Sequence, residues 1–201
     1  MPRGVLVIIS APSGTGKSTI CRELLKRRKD LRYSVSATTR PPRPGEKDGK
    51  HYFFLEAEEF KRRIQRRDFL EWALVHDEYY GTPRSFIESV LKTGHKVLLA
   101  IDVQGAAAIR RRLPADSVLV FLAPPSIEAL RERLAARRDA SESVAKRLAA
   151  ARQEMSHAGS FDYYVVNDDL GKAVDQIDSI LTAEGLKVSR REHSDPVPTH
   201  A

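Results

Sequence analysis

The chain has 201 residues, 41% of them hydrophobic, which suits one α/β domain with a buried core. No apolar run approaches the roughly eighteen residues that a membrane-spanning helix needs, and we expect no secretory signal before the first predicted strand. Cys21 is the single cysteine, so no intrachain disulfide can form, which fits a reducing cytoplasm. The six histidines show no metal-ligand spacing.

The first predicted strand leads into a phosphate-binding loop. Residues 5–9, VLVII, have the unbroken apolar character of a strand buried on both faces of a parallel sheet. A loop with two glycines follows, and 17–19, KST, opens a helix, which is the context that a P-loop requires. Backbone N–H groups and a helix N-terminus then favour an anion at one point. The predicted ATP-binding residues of this loop are Ala11, Pro12, Ser13, Gly14, Thr15, Gly16, Lys17, Ser18 and Thr19.

Two residues of the loop have defined roles in this prediction. Lys17 would reach the β- and γ-phosphates, and the Ser18 hydroxyl would bind Mg²⁺. Ala11 stands where the usual pattern G-x-x-x-x-G-K-[ST] has glycine, but alanine is small and Gly14 remains. The flanking strand and helix argue against the alternative, a chance glycine-rich turn.

The chain carries a net charge of +7 and has a pI of about 9.6. Such a charge fits nucleic-acid binding or polyphosphate ligands. The basic residues are spread along the chain, and the arginines near Arg40 and Arg137 fall in predicted loops. We therefore favour phosphate ligands and expect neither a nucleic-acid partner nor a membrane.

A proline-rich loop at 37–46 carries two arginines, Arg40 and Arg43, three positions apart. Paired guanidiniums on a stiff backbone suit bidentate phosphate binding better than a merely solvated loop does. Around this loop we predict short strands at 33–36 and 52–55 and an amphipathic helix at 57–67. A turn is predicted at 79–83, where Thr82 would cap a helix that ends at Gly94.

A second buried-type strand, 96–101, ends at Asp102. An acid at this place is typical of a Mg²⁺-linked carboxylate beside a P-loop, and the alternative is a carboxylate that only caps the following turn. The remaining predictions are strands at 117–122 and 163–166 and helices at 104–113, after Ser126, from about Ser143 and at 170–185. The polar tail, 186–201, is predicted to be disordered.

Two arginine-bearing helices flank a polar break at 139–142 and resemble a mobile lid that closes over phosphates. Solvated arginine faces are the alternative for Arg131, Arg138 and Arg152. The alternation of strands and helices predicts an α/β fold with a parallel, P-loop NTPase-type sheet flanked by helices. We expect a core at 4–33 and 86–185, an inserted subdomain at about 34–85 that holds the second substrate, and a lid at about 137–147.

Seven sequence segments in this order resemble the guanylate kinases: APSGTGKST, SVSATTRPPRPGE, FLEWA, YYGTP, IDVQG, FLAPPS and VVNDD. The resemblance covers about 4–185, and the set is specific although each piece alone is weak. It implies transfer of the ATP γ-phosphate to GMP with Mg²⁺, giving ADP and GDP. The oligomeric state stays open.

The resemblance also implies roles for individual residues. Ser36, Arg40, Arg43, Tyr52 and Tyr80 match residues that hold the GMP phosphate, and Glu71 and Thr82 match those that recognise guanine. Asp102 matches an acid near the guanine and the metal, and Asn167 a residue near the adenine. The implied catalytic residues are Lys17, Arg40, Arg133, Arg137 and Arg147, and the implied metal ligands are Ser18 and Asp102.

One position departs from the family pattern: Ala100 stands where an acid is usual, so we expect slower turnover or weaker metal dependence. Two other functions stay open. A related P-loop kinase for another phosphate ester would not need Glu71 and Thr82, and a phosphopeptide-binding module of the guanylate kinase type usually has a degraded P-loop. For Glu71 itself the alternative is a solvated acid at a strand end.

Overall fold

The computed structural model describes residues 3–75, 77–136 and 143–190. In chain order the strands are β1 (Val5–Ser10), β2 (Leu31–Tyr33), β3 (Ala37–Thr38), β4 (Phe53–Phe54), β5 (Phe69–Val75), β6 (Glu78–Pro83), β7 (Lys96–Ala100), β8 (Ser117–Ala123) and β9 (Tyr163–Val166). The helices are α1 (Lys17–Arg27), α2 (Ala57–Gln65), α3 (Arg84–Lys92), α4 (Val103–Arg112), α5 (Ile127–Ala135), α6 (Val144–Ser156) and α7 (Leu170–Gly185), with 3₁₀ turns at Ala158–Ser160 and Val188–Arg190. Within these ranges no helix combines the length and the apolar character that crossing a membrane requires.

The central sheet has five parallel strands in the order β2-β7-β1-β8-β9. Alternate residues of β1 enter two separate cores. Val7 and Ile9 pack with α1 and α7 on one face, whereas Leu6 and Ile8 pack with α3 and α4 on the other. Burial on both faces explains why the strand is apolar without alternation. The prediction of a parallel α/β sheet flanked by helices is confirmed.

A second, four-stranded sheet in the order β4-β3-β6-β5 lies within the predicted inserted subdomain. Strand β6 pairs antiparallel with β3 and β5, and α2 covers the sheet with Phe60, which stacks on Phe69 and Tyr79. The predicted strand at 33–36 is wrong in its extent, because β2 ends at Tyr33 and β3 begins at Ala37. The residues between them connect the two sheets.

The predicted turn at 79–83 is wrong, because these residues form β6. Thr82 does not cap α3, whose N-cap is Pro83 with no side-chain hydrogen bond. Gly81 suggested a turn, but this glycine is needed because two aromatic rings pack closely against its backbone. A Cβ here would lie 2.9 Å from the ring of Phe60 and 3.0 Å from that of Phe69. The glycine therefore makes room for the aromatic cluster.

Helices α5 and α6 pack against each other through a small apolar cluster that includes Leu130, Leu134 and Leu148. Ser126 accepts a hydrogen bond from the Ala129 N–H, which confirms the predicted cap of α5. Ser143 caps α6 in the same way. The predicted break at 139–142 lies outside the described residues.

The predicted disordered tail is wrong for its first five residues, 186–190, and its remainder lies outside the described residues. Arg190 is buried, its Nη1 donates to the Ala115 carbonyl at 3.1 Å, and its Nη2 lies 3.3 Å from Glu184 Oε2. Tyr163 and Lys187 contact the same carboxylate. Burial opposes ionisation of Glu184, but these three partners outweigh it and hold its pKa below the ordinary value. The end of α7 is thus tied to β9 and to the start of β8.

We predict that Arg190→Met lowers the free energy of unfolding by about 2 kcal/mol, because a buried carboxylate loses a charged donor. The double variant Arg190→Met, Glu184→Gln should lose less than the sum of the two single losses, because a neutral amide needs no cation. Urea unfolding of the four proteins measures this. Strictly additive losses would contradict the coupling.

Candidate active site

The loop between β1 and α1 has the geometry of an anion-binding turn. Gly14 and Gly16 adopt φ of +92° and +97°, a region that side chains with a Cβ rarely enter. Gly16 is the N-cap of α1, so the free N–H groups of the helix face the loop. The loop borders a cavity of about 300 Å³, here called the loop cavity. It is lined by Ala11, Pro12, Ser13, Gly14, Gly16, Lys17, Ser18, Thr19, Asp102 and Glu154.

Lys17 joins the loop to the neighbouring strand. Its Nζ donates to the carbonyl of Ile101, just past β7, at 3.0 Å. A second bond links the same strand ends, since Ser10 Oγ donates to the Asp102 carbonyl at 3.1 Å. Burial lowers the pKa of Lys17, while the nearby acids Asp102 and Glu154 oppose that shift. The ammonium is thus held at the end of the sheet, beside the loop.

Asp102 caps the following turn, which is one of the two roles that the sequence left as alternatives. It is the N-cap of α4, where its Oδ1 accepts the Gly105 N–H at 2.8 Å. Its Oδ2 accepts no hydrogen bond from the described residues, and the side chain lines the loop cavity. The capping bond fixes the carboxylate while one oxygen remains available to a ligand.

A second cavity of about 230 Å³, here called the acceptor cavity, lies between the two sheets. Lys17 and Asp102 line it as they line the loop cavity, so the two cavities meet at these side chains. The other lining residues are Ser36, Tyr52, Glu71, Ala73, Val75, Tyr80, Gly81, Ala100 and Ile101. Five residues predicted to bind GMP are therefore brought together here: Ser36, Tyr52, Glu71, Tyr80 and Asp102.

Glu71 is not a solvated acid at a strand end. Only 8% of it is exposed, and Thr82 on the paired strand donates its hydroxyl to Glu71 Oε1 at 2.5 Å. Burial raises the pKa of Glu71 to about 7, with Asp102 adding to the shift and the Thr82 bond opposing it. Thr82 itself does not line the acceptor cavity, and it contacts that cavity only through its hydrogen bond to the Glu71 carboxylate.

The two loop arginines differ in their surroundings. Both terminal nitrogens of Arg40 bond Glu46, at 2.6 and 2.7 Å, and the guanidinium lies 5.0 Å from the centre of the Tyr52 ring. The Glu46 bonds raise the pKa of Arg40, and the Arg40 bonds lower the pKa of Glu46 to about 2. Arg43 is exposed and bonds Glu46 through its backbone alone: its N–H donates to Glu46 Oε2, and its carbonyl accepts the Glu46 N–H. Neither arginine lines the acceptor cavity in this state.

Three other predicted residues, Asn167, Arg133 and Arg147, surround the phosphate-binding loop. Asn167 Nδ2 donates to the Thr15 carbonyl at 2.6 Å, and Arg133 donates to the Asn167 carbonyl at 3.2 Å. Arg147 on α6 donates to Ser13 Oγ at 2.8 Å. Its other terminal nitrogen, Nη1, is buried without a hydrogen-bond partner among the described residues. Arg137 lies outside the described residues.

Sequence reasoning missed Glu46, Glu154 and the backbone carbonyl of Ile101. Glu46 follows Gly45, which has a φ of +85° and turns the chain back toward Arg40. The sequence RPGE contains that signal. Glu154 stands on an amphipathic helix among other charged residues, and no spacing in the sequence distinguishes it.

A family model described as guanylate kinase matches residues 3–184. The chain belongs to the guanylate kinase family. The guanylate kinase of Symbiobacterium thermophilum is 50% identical over 190 residues, which cover 94% of this chain and 90% of that protein. The guanylate kinase of Caldanaerobacter subterraneus subsp. tengcongensis is 47% identical over 191 residues, which cover 94% of this chain and 92% of that protein.

Solved structures agree with this membership of the guanylate kinase family. The guanylate kinase from Anaplasma phagocytophilum aligns with a TM-score of 0.81 at 37% identity, covering 94% of this chain and 90% of that one. The shikimate kinase from Bacteroides thetaiotaomicron aligns with a TM-score of 0.52 at 12% identity, covering 89% of this chain and 98% of that one. The second likeness shows a shared fold alone.

We predict that the side-chain carboxyl of Glu71 titrates with a midpoint near 7 in the ligand-free protein, followed as its ¹³C chemical shift against pH. Thr82→Val should raise the midpoint, because a donor to the ionised form is lost. Asp102→Asn should lower it, because a nearby negative charge is lost. A wild-type midpoint near the ordinary glutamate pKa of 4.5 would contradict the burial of this acid.

Proposed function

We propose that this chain transfers the γ-phosphate of ATP to the phosphate of GMP, giving ADP and GDP. The observation that carries the proposal is that Lys17 and Asp102 line both cavities. Two nucleotides, one in each cavity, would therefore bring their phosphates together beside one ammonium. Positioning of this kind supplies much of the catalysis of phosphoryl transfer.

The loop cavity suits the triphosphate of ATP. Its backbone N–H groups and the Lys17 ammonium are fixed before the ligand binds, so they need no reorganisation. Arg147 adds a buried guanidinium nitrogen that lacks a partner among the described residues, and a phosphate oxygen would satisfy it. Asn167 bonds the loop at the Thr15 carbonyl, and Arg133 in turn bonds the Asn167 carbonyl. We propose that this support is their contribution to ATP binding.

The acceptor cavity suits a guanine nucleotide. Guanine carries two adjacent donors, N1–H and the 2-amino group, and the ionised Glu71 carboxylate can accept both. Tyr52, Tyr80 and Ser36 supply hydroxyl groups to the same cavity, and Arg40 lies against Tyr52. We propose that the GMP phosphate replaces Glu46 as a partner of Arg40 and gains Arg43, since both arginines stand on the loop above Tyr52.

The residues at the junction fit Mg²⁺. Ser18 and Asp102 present hard oxygen donors to the loop cavity, and Asp102 Oδ2 has no donor among the described residues. These two residues would hold the ion together with phosphate oxygens. Bound there, Mg²⁺ would neutralise charge on the transferred phosphoryl group. The attacking GMP phosphate is already largely ionised at neutral pH, so the chain needs no general base.

The test is an assay of ADP release with ATP, Mg²⁺ and a panel of nucleoside monophosphates. We predict that GMP is preferred over AMP by up to about 10⁴-fold in kcat/KM, because adenine offers an acceptor at N1 and no 2-amino group. Comparable ADP release with AMP, or with a ribose bisphosphate, would assign the chain another acceptor. No ADP release with any acceptor would favour a binding module.

In the same assay, Glu71→Gln should lose about 10²-fold in kcat/KM for GMP, because charged hydrogen bonds are worth about 1.5–3 kcal/mol each and the amide NH₂ opposes a guanine donor. The KM for ATP should stay nearly constant. Glu58→Gln on the exposed face of α2 is the matched control and should change neither value. Intact GMP kinetics in Glu71→Gln would remove this residue from base recognition.

A further inference from the structure

Glu154 is an acid in the loop cavity to which neither the sequence patterns nor the proposed roles give a function. It lies near the C-terminal end of α6, half-buried, and lines the cavity with Lys17, Ser18 and Asp102. Ser13 of the phosphate-binding loop lines the same cavity. The side chain of Glu154 therefore extends from α6 toward the phosphate-binding loop.

Glu154 lacks the ion pairs that explain other acids of this protein. Glu46 is paired with Arg40 and Glu184 with Arg190 and Lys187, whereas Glu154 forms no ion pair with any described residue. Lys17 is close enough to affect its pKa, but the Lys17 ammonium is bonded to the Ile101 carbonyl. Burial raises the pKa of Glu154, so its negative charge is costly where it stands.

Two carboxylates in a cavity for polyphosphate need an explanation. Asp102 and Glu154 both line the loop cavity, and each would repel the phosphates of ATP. The repulsion becomes an attraction when a divalent cation binds with the nucleotide, because Mg²⁺ takes one or two carboxylates together with phosphates and water.

We propose that Glu154 is a second carboxylate of the Mg²⁺ site and stabilises the ion that Ser18 and Asp102 would hold. The proposal deepens the proposed function and rests on it. Arg147 lies two helical turns before Glu154 on α6 and donates to Ser13 Oγ, and Ser13 lines the loop cavity together with Glu154. One face of α6 thus presents a cation for the phosphates and an anion for the metal.

The experiment measures the affinity of a non-hydrolysable ATP analogue by calorimetry, in saturating Mg²⁺ and in EDTA. Glu154→Gln should weaken the binding in Mg²⁺ by about 10–100-fold, the usual loss when a supporting partner of a metal site is removed. Binding in EDTA should be unchanged or tighter, because a repulsive charge is gone. Glu132→Gln, an exposed acid on α5 outside the cavity, is the matched control and should resemble the wild type in both conditions.

Binding in Mg²⁺ that is as tight as in the wild type, or tighter, would overturn the proposal and make Glu154 only a competitor of the phosphates. Glu154→Asp keeps the charge and should retain part of the Mg²⁺-dependent affinity, and thermal unfolding of each ligand-free variant checks its fold. Failure of the proposed function would look different: the wild-type protein itself would not bind the analogue or would not release ADP with GMP.

Discussion

The hydrogen bond from Lys17 to the Ile101 carbonyl is the interaction on which the site depends. It exists because β1 and β7 are adjacent parallel strands whose carboxyl ends lie at one edge of the sheet. The chain after β1 becomes the phosphate-binding loop and the chain after β7 supplies Asp102. Because the two strand ends are adjacent in the sheet, the Lys17 ammonium and the Asp102 carboxylate are both fixed at the same edge.

Three acids around this point differ in how they are held. Asp102 is fixed by the first turn of α4 and Glu71 by the hydroxyl of Thr82, whereas Glu154 lines the loop cavity without an ion pair to any described residue. Burial makes the charge of Glu71 and Glu154 costly, and we propose that a ligand compensates each one: two guanine donors at Glu71 and a metal ion at Glu154. Asp102 lines both cavities and therefore lies between Glu71 in one and Glu154 in the other.

The central sheet and the phosphate-binding loop could be predicted because their signals are local. A strand buried on both faces must be apolar throughout. A loop with Gly14 and Gly16 before Lys17, between a strand and a helix, is typical of phosphate binding. Strand β6 was missed for the converse reason. Gly81 and Pro83 are local turn signals, but the strand is formed by pairing with β5 and by the rings that pack against Gly81, and neither partner is visible in the spacing.

Charged residues that bond across separate elements were harder to predict than the phosphate-binding loop. Arg190 was assigned to a disordered tail because its partners, Ala115 and Glu184, come from other elements. Glu154 was not singled out from the sequence for the same reason. Membership of the guanylate kinase family, by contrast, was indicated by local sequence segments and is shown by the family model that matches residues 3–184.

The central claim is that the two cavities form one site in which both nucleotides place their phosphates at Lys17 and Asp102. The most direct measurement is the affinity of a compound that joins adenosine and guanosine through a polyphosphate chain. Linked ligands that fit two adjacent sites bind about 10²–10⁴-fold tighter than either alone. The account predicts this gain over ATP or GMP, with one molecule bound per chain. An affinity no higher than that of the tighter single nucleotide would contradict it.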